Sequence, residues 1–225
     1  MRKKISVLGM ELDNSSYSEA LTIIEKFLSD TAVSTVLSVD VDMLALAEQD
    51  ETVRQQLQEA DYTVICDAMI LEAAGSPSFT RTKEISSKHF YEEFMKLVYH
   101  LDKTVCLIGA AKEDNQIFRE FLLSHYANLR IVGEVTASGQ REENETAVNT
   151  VNTVTPDVVL SILPSPLQEE FLKEHKQQVS ARIWYGLLPD IQKTQDSGRL
   201  ASALHHYFQR RALRSRIKRY EEKHR

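Results

Sequence analysis

The feature that most restricts how this chain can fold is a regular alternation of short apolar runs with longer amphipathic segments. Short apolar runs are typical of parallel strands covered on both faces, whereas apolar residues at three- and four-residue spacing are typical of helices. The pattern predicts strands at residues 5–9, 35–39, 62–66, 104–109, 129–132, 157–162 and 182–186. It predicts helices at residues 17–28, 43–57, 90–101, 114–126, 144–154 and 167–179. This order indicates an α/β fold with a Rossmann-like, mostly parallel sheet and helices on both faces.

The charge distribution divides the chain into two predicted parts. The whole sequence has a formal net charge of −6, yet residues 199–225 contain nine Lys or Arg and only two Glu. We therefore predict an α/β domain at residues 1–197 and a basic amphipathic helix at residues 198–225. Such a helix suits an anionic membrane surface or the protein's own acidic domain, and its pattern favours neither. Nucleic acid is not an expected partner, because the rest of the chain is acidic.

Composition argues against several other classes of protein. The apolar stretch at residues 5–10 is too short for a secretory signal or a membrane span. The two cysteines, Cys66 and Cys106, lie in apolar runs and indicate buried thiols rather than a disulfide scaffold. The seven histidines lack metal-ligand spacing. We expect a protein of the reducing cytoplasm that carries no metal and no cofactor.

Candidate site residues follow the predicted strands, because open α/β sheets bind ligands beyond the carboxyl ends of their strands. This rule selects Ser38, Asp40, Asp67, Gly109, Gln168, Glu169, Gly186 and Asp190. A stretch rich in Ser and Thr at residues 75–88 is predicted to be an irregular, mobile active-site loop. Arg81 and Lys83 lie within it.

Two of these residues have a structural interpretation as well as a functional one. Asp67 directly follows an apolar strand and could serve as a general base, but an Asp at this point equally suits a cap on a helix at residues 68–74. Gly109 opens a strand-to-helix turn that could hold a phosphate at the helix N-terminus. A single glycine without further motif residues fits an ordinary tight turn as well, and local sequence favours the structural interpretation of both residues.

The order of several segments points to a known family. They are residues 5–13 with 18–21, the sequence ADYTVICD at 60–67, LIG at 107–109, NLRIVG at 128–133, PDVVL at 156–160 and PLQE at 166–169. Together they resemble the WecG/TagA/CpsF family of bacterial glycosyltransferases along nearly the whole chain. The segment at 60–67 is similar to the one that carries the family's proposed catalytic aspartate, here Asp67.

The resemblance implies a reaction as well as a fold. It implies an inverting, metal-independent transfer of an N-acetylmannosamine-like sugar from a UDP-sugar to an undecaprenyl-diphosphate-linked sugar, for teichoic acid or another surface polysaccharide. Asp67 would act as the base, with Ser38 and Asp40 on the acceptor side. Arg81 or Lys83, together with Gln168, would hold the diphosphate. The remaining candidates, Gly109, Glu169, Gly186 and Asp190, would line the substrate site.

The resemblance also implies what the basic tail binds. It implies a peripheral protein on the inner, cytoplasmic face of the cell membrane, where the lipid-linked acceptor lies. Arg210, Arg211 and Arg214 would then contact the anionic membrane or fold back to close the pocket. Self-association into a homo-oligomer is implied as well.

An alternative hypothesis comes from positions at which this chain departs from the family motifs. Asp40 stands where the family has Asn, Ala68 where it has Gly, and Leu167 where it has Lys, and the whole chain contains only seven glycines. Backbone that approaches a diphosphate closely usually needs glycine. The alternative is therefore a catalytically impaired homologue that acts as a nucleotide-sugar-binding, scaffolding or regulatory subunit.

Overall fold

The computed structural model describes residues 2–86 and 88–188. The predicted basic helix at 198–225, including Arg210, Arg211 and Arg214, lies outside these residues, as does Asp190. The strands of the described part are β1 (Lys4–Val7), β2 (Met10–Asp13), β3 (Ser34–Val39), β4 (Tyr62–Ile65), β5 (Thr104–Gly109), β6 (Arg130–Thr136), β7 (Val158–Ser161) and β8 (Ile183–Gly186). Its α-helices are α1 (Tyr17–Phe27), α2 (Val41–Ala47), α3 (Glu51–Glu59), α4 (Met69–Ala73), α5 (Phe79–Ser86), α6 (His89–His100), α7 (Lys112–His125), α8 (Arg141–Val154) and α9 (Leu167–His175).

Six of the strands form one sheet in the order β4-β3-β8-β7-β5-β6, and every neighbouring pair is parallel. Helices cover both faces, which confirms the predicted α/β class. One face packs against α1, α6 and α7, with Phe94 and Tyr185 in edge-to-face contact at 4.8 Å. The other packs against α2, α3, α8 and α9, and includes Trp184, the neighbour of Tyr185 in β8. Successive side chains of a strand point to opposite faces, so β8 contributes side chains to the apolar cores on both sides of the sheet.

The first predicted strand was wrong in its pairing. Residues 5–9 were expected to begin the main sheet, but β1 and β2 form a separate antiparallel hairpin. Leu8 and Gly9 make the turn with φ of 52° and 74°. Such turns normally carry Asn-Gly or Asp-Gly, so the apolar residue Leu8 prevented the turn from being recognised in the sequence. The hairpin is tied to β4 by Asp13, whose backbone N–H donates to Thr63 Oγ1 at 2.7 Å.

Two further predictions of local structure were wrong. The helix expected at 43–57 is two helices, because Asp50 interrupts it and accepts the N–H groups of Thr52 and Val53 as the cap of α3. The irregular loop expected at 75–88 contains the helix α5 instead. The first turn of α5 is supported by Ser78, whose Oγ accepts the backbone N–H of Arg81 at 3.4 Å.

Two Asp-Thr clasps join strands at the amino edge of the sheet. The Asp61 carboxylate, just before β4, accepts the N–H and hydroxyl of Thr35 in β3 at 2.8 and 3.0 Å. The Asp157 carboxylate, just before β7, accepts the same two groups of Thr104 in β5 at 2.9 and 3.0 Å. Each carboxylate also pairs with a lysine, Lys176 or Lys103. Partial burial works to raise the pKa of both acids, but these hydrogen bonds outweigh it and the pKa values lie below 3.8.

From these Asp–Thr hydrogen bonds we predict that the folded state loses stability at acidic pH. A carboxylate with a lower pKa in the folded than in the unfolded state stabilises the fold above its unfolded pKa, and that stability is lost as the pH falls through the folded value. We expect the free energy of unfolding to drop below about pH 4, and the double variant Asp61→Asn/Asp157→Asn to lose about 1–3 kcal/mol at neutral pH. Urea denaturation at several pH values measures both effects. The exposed acid Asp30→Asn is the control, and an unchanged pH slope in the double variant would contradict the assignment.

Candidate functional site

Two carboxylates meet where β3 and β4 end. These strands are adjacent and in register, with Val39 opposite Ile65, so Asp40 and Asp67 both follow at the carboxyl edge. Asp40 Oδ1 accepts the N–H of Met43 at 2.8 Å and caps α2. Burial raises the pKa of the Asp40 carboxyl, and the nearby charges of Asp42 and Asp67 raise it further. The edge of the sheet therefore concentrates negative charge at this point.

Asp67 lies one residue before Ala68, the N-cap residue of α4, and not at the cap position that its structural interpretation predicted, but it makes a similar hydrogen bond to the start of the helix. Its Oδ1 accepts the backbone N–H of Met69 at 2.8 Å, in the first turn of α4. The cap holds the carboxylate in one orientation at the end of β4, because a hydrogen bond to backbone restricts its rotamers. This hydrogen bond does not exclude proton transfer, since a carboxylate can accept several hydrogen bonds at once.

A cavity of about 170 Å³ lies between the sheet, α1, α5 and α6, and its wall includes Cys66, the residue before Asp67. It brings together two of the predicted residues, Ser38 from β3 and Arg81 from α5. Its remaining walls are formed mainly by apolar and aromatic side chains, among them Ala20, Tyr62, Val64, Ile85, Phe90, Tyr91, Tyr185 and Leu188. Lys83 is not among the lining residues and is exposed on α5.

Arg81 faces the interior because α5 is helical. Its Nε donates to Asn14 Oδ1 at 3.3 Å, and its Nη1 donates to Glu84 one turn later on the same helix. The Arg81 side chain is only 17% exposed. A cation held in this way is oriented in advance, which suits it to an anionic ligand more than a free surface side chain would be. Sequence reasoning missed Asn14 because it follows β2, a strand that the sequence did not predict, and it missed Glu84 because that residue lies within α5.

Gly109 is explained by packing. A Cβ at this position would lie 2.7 Å from Asn115 Oδ1. Asn115 is 2% exposed, and its Nδ2 donates to the carbonyl of Val135 at 2.6 Å. The Asn115 side chain thus fills the space beside the turn and links the ends of β5 and β6. This geometry supports the tight-turn interpretation of Gly109.

Gln168 and Gly186 form a second group at the end of β8, the strand next to β3. The Gln168 side chain is 3% exposed and packs on Gly186, where a Cβ would lie 2.5 Å from its Nε2. Gln168 Oε1 is buried and accepts no hydrogen bond from the described residues. Buried oxygens normally have a partner, so this one is a candidate to receive a ligand donor.

Glu169 is fully buried beside this group. Its Oε1 accepts the hydroxyl of Ser165 at 3.0 Å, and burial raises the pKa of its carboxyl. Its Oε2, like Gln168 Oε1, has no partner within residues 2–86 and 88–188. Burial thus disfavours the charged form of this carboxyl.

The described part of the chain shows neither a metal-type cluster nor a membrane-spanning helix. No group of three or more His, Cys, Asp or Glu side chains in residues 2–86 and 88–188 is arranged to hold a metal ion. No helix in the same ranges has both the length and the apolar content that crossing a bilayer requires.

Comparison with known proteins identifies relatives of the whole α/β domain. The family model described as "Glycosyl transferase WecG/TagA/CpsF family" matches residues 5–187. Relatives include the proteins named N-acetylglucosaminyldiphosphoundecaprenol N-acetyl-beta-D-mannosaminyltransferase from Staphylococcus aureus strains MRSA252 and NCTC 8325 / PS 47. Each is 20% identical over 189 residues, which cover 82% of this chain and 72% of the relative. The match spans β1 to β8.

Proposed function

The chain belongs to the WecG/TagA/CpsF glycosyl transferase family, and from this we propose that it transfers an N-acetylmannosamine-like sugar from a UDP-sugar to an undecaprenyl-diphosphate-linked acceptor. The acceptor of the relatives, as their names give it, is N-acetylglucosaminyldiphosphoundecaprenol. The observation that carries the proposal is the position of Asp67. It follows β4 at the carboxyl edge of the sheet, is held by the hydrogen bond from the Met69 N–H, and comes directly after Cys66 in the cavity wall.

In the proposed reaction Asp67 takes the proton of the acceptor hydroxyl. The hydroxyl oxygen then forms a bond to the anomeric carbon, and the bond from that carbon to the UDP oxygen breaks. UDP leaves with the electron pair, and attack opposite the leaving group inverts the anomeric centre. General base catalysis of this kind contributes about 10²–10⁴-fold to a rate.

Positive and polar groups would stabilise the departing diphosphate. Arg81 is oriented by Asn14 and Glu84, and Gln168 would contribute its side-chain N–H donors, because its Oε1 can only accept hydrogen bonds. Lys83 does not line the cavity, so of the predicted pair we propose Arg81 for this role, and the tail residues Arg210, Arg211 and Arg214 would complete the set. We propose that Ser38 and Asp40 contact the acceptor side, because they end β3 beside β4 and Asp67.

One observation favours the alternative of a nucleotide-sugar-binding or scaffolding subunit. The turns at Gly109 and Gly186 are filled by the chain's own side chains, Asn115 and Gln168, which keep other groups from those stretches of backbone. Asp40 adds a buried carboxyl at the same edge. Diphosphate groups usually bind where glycine leaves the backbone accessible, so these features would weaken donor binding.

A transfer assay separates the two functions. Full-length protein is incubated with radiolabelled UDP-N-acetylmannosamine or UDP-N-acetylglucosamine and with an N-acetylglucosaminyl diphosphate lipid. Labelled lipid product would support the enzyme. Calorimetric binding of a UDP-sugar without any product would support the binding subunit instead, and the absence of both would remove UDP-sugars as ligands.

The predicted tail provides a separate test of membrane association. We propose that residues 198–225 hold the protein on the inner face of the cell membrane. Each Lys or Arg close to an anionic surface contributes about 1 kcal/mol, so removal of these residues should lower binding to anionic vesicles by more than about 100-fold. Vesicle co-sedimentation at low and high salt measures the effect. Zwitterionic vesicles are the control, and undiminished binding of the truncated protein to anionic vesicles would contradict a membrane role for the tail.

A further inference from the structure

The lining of the cavity is unusual for a site that binds only a sugar and a nucleotide. Its walls come from aromatic and aliphatic side chains such as Tyr62, Val64, Phe90 and Tyr185. Its volume of about 170 Å³ far exceeds what one ordered water needs. A cavity of this size with mainly apolar walls suits an apolar group, because the walls offer it dispersion contacts.

The strand side of the cavity is tightly packed. Ser38, Tyr62 and Tyr185 are each at most 4% exposed. A sugar ring in this part of the cavity would set several hydroxyls against mainly apolar walls, and a polar group left without a partner costs free energy. An apolar group carries no such cost.

Charge is concentrated at the open side of the cavity. Lys88 and Cys66 are the exposed lining residues, and Asp67 follows Cys66 directly. Arg81 and His89 also line the space. A ligand with an apolar end in the cavity and an anionic group beside Lys88 would therefore have its next group close to Asp67.

We propose that this cavity binds the isoprenyl segment next to the diphosphate of the lipid-linked acceptor. The inference rests on the proposed function, which supplies an acceptor with an apolar chain, a diphosphate and a sugar in that order. The isoprenyl carbons fill the apolar space, the acceptor diphosphate lies at Lys88, and the sugar hydroxyl reaches Asp67.

The helix α5 connects the cavity to the membrane side. Its inner face lines the cavity with Arg81, Glu84 and Ile85. Its outer face carries Lys83 and Phe79, and Phe79 is 86% exposed. An exposed aromatic residue beside a cation is what helices at a lipid interface present to the bilayer. The chain of a membrane-embedded lipid therefore has a short path around α5 into the cavity.

Calorimetry of the full-length protein tests the proposal without any transfer reaction. Geranyl diphosphate and inorganic diphosphate are the two probes. Each buried methylene strengthens binding by about fourfold, so the wild-type protein should bind geranyl diphosphate more than about tenfold tighter than inorganic diphosphate. Ala20→Leu and Ile85→Phe fill the cavity from opposite walls and should abolish this difference while leaving inorganic diphosphate binding unchanged. Ala45→Leu on α2, which does not line the cavity, should retain the difference.

The outcomes separate this inference from the proposed function. Equal affinity of wild type for the two probes would overturn the inference, even if sugar transfer occurs. Tight geranyl diphosphate binding that both filling variants abolish would support it, even if no acceptor is ever glycosylated. If one filling variant fails to fold, as judged by its melting curve, the other decides the result from the opposite wall.

Discussion

Asp67→Asn is expected to lower kcat for sugar transfer by about 10²–10⁴-fold, with little change in stability. Asparagine removes the basic carboxylate but keeps the Oδ1 acceptor that receives the Met69 N–H, and Asn caps helices as well as Asp does. The fold and the orientation of the side chain are therefore retained while the proton acceptor is lost. Initial rates with saturating donor and acceptor, together with a melting curve, measure the two effects separately.

The matched control for this variant is Asp50→Asn. Asp50 also caps a helix, α3, by accepting backbone N–H groups at 2.8 and 3.1 Å, but it follows no strand. We expect the transfer rate of Asp50→Asn to stay within about threefold of wild type, because the substitution affects only the helix cap and Asn can still accept the capping hydrogen bonds. Equal rates for wild type and Asp67→Asn would remove Asp67 from the mechanism and leave it a structural cap.

Gly186→Ala is expected to have the largest effect on both stability and activity among substitutions at the end of β8. The new Cβ would lie 2.5 to 2.7 Å from three atoms of the Gln168 amide group. Gln168 is 3% exposed and has no solvent to move into, so it or β8 must shift. Overpacking of this kind costs about 1–3 kcal/mol in the free energy of unfolding. Displacing Gln168 should also lower transfer, because we propose that it holds the diphosphate.

A double variant separates the steric effect from the functional one. Gly186→Ala/Gln168→Ala removes the clash and should recover stability relative to Gly186→Ala alone, a positive coupling that urea denaturation measures. Transfer should stay low in the double variant, because the Gln168 amide is absent. If transfer returned with stability, Gln168 would serve packing and not the substrate.

The amino-acid sequence determined the class of the fold and the family. Apolar runs such as 104–109 and 157–162 predict buried parallel strands because they leave no polar face, and β5 and β7 lie there. The rule that ligands bind at the carboxyl ends of strands selected Asp40 and Asp67 without knowledge of the strand order. The motif order at 5–169 indicated the family, and the match over residues 5–187 confirms it.

The tertiary structure alone decided what surrounds those residues. Nothing local places β8 between β3 and β7, since strand order depends on contacts between residues distant in sequence. Because that order brings Tyr185 and Ser38 into the wall of one cavity, the cavity could not be predicted from either strand. Likewise, α5 lacks a continuous apolar face of its own. Its helical form and the inward position of Arg81 depend on packing against the rest of the fold, which local sequence cannot express.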